Sequence, residues 1–311
     1  MALEKMKTLK PAALLVLLGI LWGSGYTLAR FAVLHGVSPL GYAFWQTAGP
    51  SVLLLIYLIM RSQLMRIQWQ HGVYFLFIGL LGVALPNTNM YFASRHVPSG
   101  MLSVVINTSP VFVYLIALWA GEEKWSPVRV LALVLLIVGL GMIVLPGWNW
   151  YGNGNLAVSP RWVLLALASP LCFASAAVFI AQKPVGLSVG VLACGMMMSA
   201  WFWLCPVVWV THSFYWPASH WHARDTAVLA EIVLSSLGYV VFFELLLSAG
   251  AVYYSFVSGV VAMMGVIWGK IFFTEPLSLM DSLAMLVIFI ATMIIVLVRR
   301  NNTENSLSVN G

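Results

Sequence analysis

Ten apolar runs, each close to the roughly 20 residues that cross a hydrocarbon core as a helix, take up nearly the whole of this chain. They fall near residues 12–33, 39–60, 72–92, 100–120, 127–145, 161–182, 189–210, 227–248, 251–273 and 278–298. Soluble chains carry about a quarter charged residues. Here 8% are charged and 62% hydrophobic, with a mean hydropathy of +0.96. The chain therefore belongs in a bilayer, and its 311 residues can be almost entirely spans and short joins. The joins at Pro98-Ser99-Gly100 and Ala249-Gly250 are so short that the helices they connect must be antiparallel hairpins.

Lysine and arginine set the orientation, because they are retained on the cytoplasmic side. With the N-terminus inside, ten cations (Lys5, Lys7, Lys10, Arg61, Arg66, Lys124, Arg129, Lys183, Arg299 and Arg300) fall in the cytoplasm. Five fall outside: Arg30, Arg95, Arg161, Arg224 and Lys270. Both termini are predicted to be cytoplasmic. The net charge of +6 follows from this asymmetry, and no basic stripe with interleaved aromatics suggests a nucleic-acid partner. Lys5, Lys7 and Lys10 followed by PAALLVLLGILWG imitate a signal peptide, but the apolar stretch is longer than an h-region and Thr27-Leu28-Ala29 is a poor cleavage site. We read it as a retained first helix. Cys172, Cys194 and Cys205 lie within predicted spans without a CxxC motif, which indicates neither a metal site nor a disulfide framework.

An internal repeat is visible. EKWSPVRVLALVLLIVGLGMIVL from Glu123 aligns without a gap on EPLSLMDSLAMLVIFIATMIIVL from Glu275, an offset of 152 (275 minus 123). The polar matches Glu123 with Glu275 and Ser126 with Ser278 are the most telling. Five helices per half is an odd number, so the second half must enter the membrane from the opposite side. Inverted repeats are how many secondary transporters build two alternative gates around a midplane site. The predicted organisation is a cytoplasmic tail at 1–11, a first five-helix repeat at 12–146, an outer loop at 147–160, a second repeat at 161–298 and a cytoplasmic tail at 299–311. The fold class is thus an all-α polytopic membrane protein of ten transmembrane helices in two inverted five-helix repeats.

Leu21-Trp22-Gly23-Ser24, Pro110, and the acidic turn Gly121-Glu122-Glu123 echoed by Thr274-Glu275-Pro276 resemble the EamA branch of the drug/metabolite transporter superfamily. The resemblance covers about residues 12 to 298. It implies a central cavity and transport of small organic solutes such as amino acids, nucleosides or drugs across the cell's inner membrane. Where such proteins commonly carry an arginine in the second helix, this chain has Phe44-Trp45-Gln46, which weakens any case for a strongly anionic substrate.

Polar residues inside spans mark the predicted site. VVINTSPV puts Asn107, Thr108 and Ser109 ahead of Pro110 about halfway along helix four, and LPNTNMYF puts Asn87 and Tyr91 on one face of helix three beside Pro86. Both prolines free backbone carbonyls that only protein or water can satisfy. Asn107 and Thr108 can instead serve only to satisfy the kink and its packing. With Trp22 and Tyr26, four apart on one face, and with Gln46 and Tyr239, these residues form the predicted substrate-binding set. Glu244, about 10 Å from the midplane at 1.5 Å per residue, is either a proton-coupling carboxylate or an acid reaching cytoplasmic water. Glu231 and Lys270, at similar depth on antiparallel neighbours, are expected to form an ion pair at the outer gate.

No HExxH, no facing Ser and His, no pair of acids within spans and no GxxxxGK[ST] is present, so neither intramembrane hydrolysis nor ATP-driven transport is indicated. His212, His220 and His222 cluster in an outer loop that could bind a metal, a weak signal at that spacing. The expectation is a secondary transporter, monomer or weak homodimer, using no cofactor and moving an amino acid, related metabolite or drug-like compound, with export favoured over uptake. Proton-coupled or facilitative uptake of a nucleoside or other metabolite is the alternative, and an intramembrane enzyme or a metal-binding membrane protein using the outer His-rich loop is the alternative of another class.

Overall fold

The computed structural model describes residues 2–63, 68–97, 102, 105–144, 160–216, 221–274 and, between 279 and 294, residues 279, 282–284, 286, 287, 289–291 and 294. All regular structure among them is helical. The helices are α1 (Ala2–Leu34), α2 (Pro39–Met60), α3 (Trp69–Ala93), α4 (Ser109–Trp119), α5 (Pro127–Val144), α6 (Pro160–Gln182), α7 (Val189–Val210), α8 (Ala223–Ala249), α9 (Ala251–Phe273) and α10 (Ser282–Ala291). Seven of these, α1–α3 and α6–α9, are long and apolar enough to cross a membrane; α4, α5 and α10 are shorter apolar helices. The join at 98–100 and the echo of Glu123 at Glu275 lie outside the described residues.

Local chemistry fixes where helices start and stop. Pro39, Pro127 and Pro160 open α2, α5 and α6, where a missing N–H costs nothing because no helix satisfies its first donors. Ser38 caps α2 by accepting from the Gly41 amide at 3.0 Å. Gly250 adopts φ +83, a conformation that glycine reaches without steric cost, and so turns α8 directly into α9.

Three helices are interrupted at mid-course. In α3 the backbone forms a π turn over Leu80–Ala84 immediately before Pro86, which absorbs the donor that proline lacks. Helical structure at Val105–Ile106 breaks at Asn107 and Thr108, and Pro110 sits in the first turn of α4 that follows. Pro110 is therefore not the break itself but the residue that restarts the helix, where its fixed φ suits the first turn. α9 breaks at Phe256, between Ala251–Ser255 and Val257–Phe273, with no proline involved.

Packing turns polar groups inward and apolar ones toward lipid. Leu53, Ile56, Phe202, Leu237 and Ile271 are exposed, whereas Gln46, Thr47, Ser51, Asn87, Asn107, Glu231 and Ser235 are buried. α1 lies along α8 and α9, α6 lies along α3 and α4, and α2 packs on α7. The α1–α9 contact depends on missing side chains: a Cβ on Gly19 would lie 2.3 Å from Val260 Cβ, and one on Gly23 would lie 2.5 Å from Met264 Cβ. Gly23→Leu is expected to destabilise the folded protein by about 1–3 kcal/mol through overpacking. Thermal unfolding in detergent should show this as a lower midpoint, while Leu53→Ala on the lipid face leaves the midpoint nearly unchanged.

Candidate functional site

One buried acid organises the centre of the bundle. Glu231, on α8, is 5% exposed. Its Oε1 accepts from Ser235 Oγ at 2.7 Å, and Ser235 Oγ in turn accepts from Gln46 Nε2 of α2 at 3.1 Å. Asn87 Nδ2, from α3, lies 3.4 Å from both Gln46 Oε1 and Tyr239 Oη. The donors in this chain run toward the carboxylate, the arrangement that suits an acceptor group. Neither Glu231 Oε2 nor the Tyr42 hydroxyl makes a hydrogen bond of ordinary length and angle, but the two groups lie close enough to interact with each other. A Cβ on Gly25 would sit 2.7 Å from that carboxyl oxygen, so α1 must present glycine there.

Aromatic rings close the walls. Trp22 lies 5.5 Å from Tyr239 and 5.7 Å from Phe242 between ring centroids, and meets Tyr254 edge-on at 6.2 Å. Tyr42 and Tyr91 meet edge-on at 4.9 Å. Trp22 fits because position 238 is glycine: a Cβ there would lie 2.7 Å from its indole nitrogen. The resulting cavity is lined by Trp22, Tyr26, Gln46, Asn87, Glu231 and Tyr239 among others, and its volume is about 20 Å³, room for a water molecule or so. Trp22, Tyr26 and Phe173 separate it from a second small chamber lined by Ile106, Ser109, Tyr254 and Ser258. At that chamber the breaks of α4 and α9 meet. Ser258 Oγ donates to Asn107 Oδ1 at 2.9 Å, while Asn107 Nδ2, fully buried, has no partner.

The periphery is different chemistry. A loop at residues 211–216 is strapped over the start of α2: Ser38 Oγ donates to the Ser213 carbonyl at 2.5 Å and Trp45 Nε1 to the Tyr215 carbonyl at 2.7 Å. Tyr215 also donates its hydroxyl to Asp225. Burial, together with that neighbouring carboxylate, pushes the Tyr215 phenol above its ordinary value. Among the described residues no group of three His, Cys, Asp or Glu could hold a metal ion; His220 lies outside them.

Residues 9–145 match the sequence profile of the EamA-like transporter family. An uncharacterized transporter of Bacillus subtilis, YvbV, is 26% identical over 89% of this chain and 88% of its own length. Over residues 9–145 the chain is EamA-like. The inner membrane transporter YedA of Escherichia coli K12, also uncharacterized, is 29% identical over 58% of this chain and 57% of its own length. A crystal structure 16% identical in sequence superposes with a TM-score of 0.66 over 96% of this chain and 98% of that one, a likeness of fold.

In this EamA-like transporter, Trp22, Tyr26, Gln46, Asn87, Tyr91 and Tyr239, expected from sequence to line a site, surround one cavity. Asn107 stands at the adjoining chamber through Ser258. Thr108 does not join them, because its hydroxyl turns back to the Val105 carbonyl at 2.7 Å. Glu231 and Lys270 do not pair. Lys270 is exposed in the last turn of α9 and Glu231 faces the cavity, since equal depth on neighbouring helices says nothing about which way each side chain points. Glu244 is also not in the cavity: it accepts from Lys10 Nζ at 2.5 Å, with 36% of its side chain exposed. Ser235, Phe173 and Gly25 were missed, although Glu231, Ser235 and Tyr239 recur every four residues and so mark one face of α8.

Two asparagines in one stretch of α3 have separate tasks. Asn89 Nδ2 donates to the Leu165 carbonyl at 2.5 Å and to Ser169 Oγ at 2.9 Å, tying α3 to α6. Asn89→Ala is expected to cost about 1 kcal/mol of stability and to leave transport per folded molecule near normal. Asn87→Ala should do the reverse. Thermal midpoints and transport rates of the two variants, measured side by side, check the division.

Proposed function

We propose that this protein is a secondary transporter of the inner membrane that moves a small organic solute by alternating access through the central cavity. In this reading ten helices form two inverted five-helix repeats, 12–146 and 161–298, with an outer loop at 147–160 and cytoplasmic tails at 1–11 and 299–311. The observation that carries it is the contact between Asn87 and Tyr239, whose separation of 152 residues equals the offset of the sequence repeat. Positions related by a two-fold axis can touch only close to that axis, so the contact supports an axis running through the cavity.

Helix packing points the same way. α1 on α8 and α9 has its counterpart in α6 on α3 and α4, and the broken helices α4 and α9 face each other at Asn107 and Ser258. Trp22, Gln46 and Asn87 come from one half, and Phe173, Glu231 and Tyr239 from the other. Relative motion of the halves would therefore open or close the site, as alternating access requires. Ligand pockets usually measure about 300–1,000 Å³, so a cavity of about 20 Å³ must widen to take an organic solute. A larger cavity of about 270 Å³, lined by Glu122, Glu123, Leu247 and Gly250, supports entry from the end assigned to the cytoplasm and hence export. Among the described residues the central cavity is lined by one carboxylate and no histidine, which fits transport better than hydrolysis. The Gly19 and Gly23 face is occupied by α9, which favours a monomer or weak homodimer.

The test is a comparison of small molecules inside and outside cells that lack or overproduce the protein, with Gln46→Ala at matched expression. Export predicts solutes enriched in the medium by the intact protein and reduced at least several-fold by the variant. Enrichment inside the cells would reverse the direction. Indistinguishable profiles with and without the protein, across several growth media, would contradict transport.

A further inference from the structure

Resting on that transport reading, we propose that the chamber between the breaks of α4 and α9 is a second solute subsite, which takes an uncharged hydrogen-bonding group, an amide or a hydroxyl, carried on a flat apolar body. The unspent polar groups gathered there carry this. Ser109 and Tyr254, each 6% exposed, line the chamber, and among the described residues neither hydroxyl has a hydrogen-bond partner. Beside them Asn107 is fully buried, with Oδ1 held by Ser258 and Nδ2 without a partner. A buried polar group left unpaired is costly, and folded proteins keep few of them. A solute that supplies the missing partners removes the cost.

The break in α9 has other hydroxyls for its own needs. The Phe256 amide turns to the Tyr253 carbonyl at 3.3 Å and the Gly259 amide to the Phe256 carbonyl at 3.1 Å, so the carbonyls of Val252 and Ser255 lose the amides four residues on. Ser255 Oγ reaches the first at 2.7 Å and Ser258 Oγ the second at 2.8 Å. In α4 the Thr108 hydroxyl likewise turns to the Val105 carbonyl. Ser109 and Tyr254 have no such task.

The lining decides the class of ligand. Among the described residues no charged side chain lines the chamber, so an ion entering it would lose hydration without gaining a counter-charge. A neutral amide or hydroxyl brings both a proton and lone pairs, and hydroxyl partners can answer either. Trp22, Tyr26, Phe173 and Tyr254 add ring faces and edges, with Trp22 edge-on to Tyr254 at 6.2 Å, a wall that fits a flat apolar body. The chamber measures about 20 Å³, and Trp22 and Tyr26 of α1 with Phe173 of α6 divide it from the central cavity. Movement of α1 against α6 joins the two and admits the solute.

The experiment uses purified full-length protein in detergent, with benzamide, benzoate and benzylammonium as probes that share one ring and differ in charge. Calorimetry is expected to show benzamide binding that Tyr254→Phe and Ser109→Ala each weaken about three- to tenfold, the loss of one neutral hydrogen bond. Any binding of the two ions should be unchanged by either variant. Because each hydroxyl lacks a partner in the fold, its removal should leave the thermal midpoint level or raise it. No benzamide binding to the intact protein, benzamide binding that neither variant weakens, or an ion weakened as much as benzamide overturns the proposal. So does a lowered midpoint in both variants, which would assign the hydroxyls to the fold. The two readings separate cleanly. Unchanged solute export by cells carrying either variant, with no benzamide bound, would keep the transporter and remove the subsite, whereas variant-sensitive benzamide binding without solute movement in proteoliposomes would keep the subsite and remove the transporter.

Discussion

A carboxyl group buried in the middle of an apolar bundle cannot be left alone, and the surrounding structure follows from what it needs. Hydrocarbon offers no hydrogen bonds, so every polar group at that depth must be satisfied by protein or by a cavity. Ser235 satisfies one oxygen of Glu231, Gln46 orients Ser235, and Asn87 lies in contact with both Gln46 and Tyr239. Three helices are thereby drawn to one point. Gly25 and Gly238 exist in this account because the carboxylate and the Trp22 indole occupy the space that their side chains would take.

The same constraint explains where helices are interrupted. A break in lipid would expose unpaired backbone, whereas a break that faces a cavity does not. The π turn in α3 leads directly to Pro86 and Asn87, and the breaks at Asn107–Thr108 and at Phe256 adjoin the chamber beyond Trp22. Asn107 and Ser258 join the latter two. Regular helix faces lipid, and irregular backbone faces the site.

Much of this was legible from residue spacing. Trp22 with Tyr26, and Asn87 with Tyr91, are four apart and were expected to share faces; each pair lines the cavity. Asn89, two residues on, lies on another face of the helix, and it binds α6. What spacing left open was the direction in which each face turns. Glu231 and Glu244 are 13 residues apart on α8, which at 3.6 residues per turn places them about 140° apart around the axis. Either could have faced the cavity, and only tertiary packing decides that Glu231 does. The break in α9 carries no proline and had no local signal, because the partner that favours it, Asn107, lies 151 residues away.

The central claim is that two halves of the chain close around one site and part at one end at a time. Spin labels at Glu122 and Leu247, which line the larger cavity, report one end. A second pair at Arg95 and Lys270, both exposed, reports the other. Distances within each pair, measured in lipid across a range of pH and with the solutes that the comparison of cells identifies, are predicted to change in opposite directions, one pair widening as the other narrows. Pairs that widen together, or that stay fixed under every condition, would contradict the account.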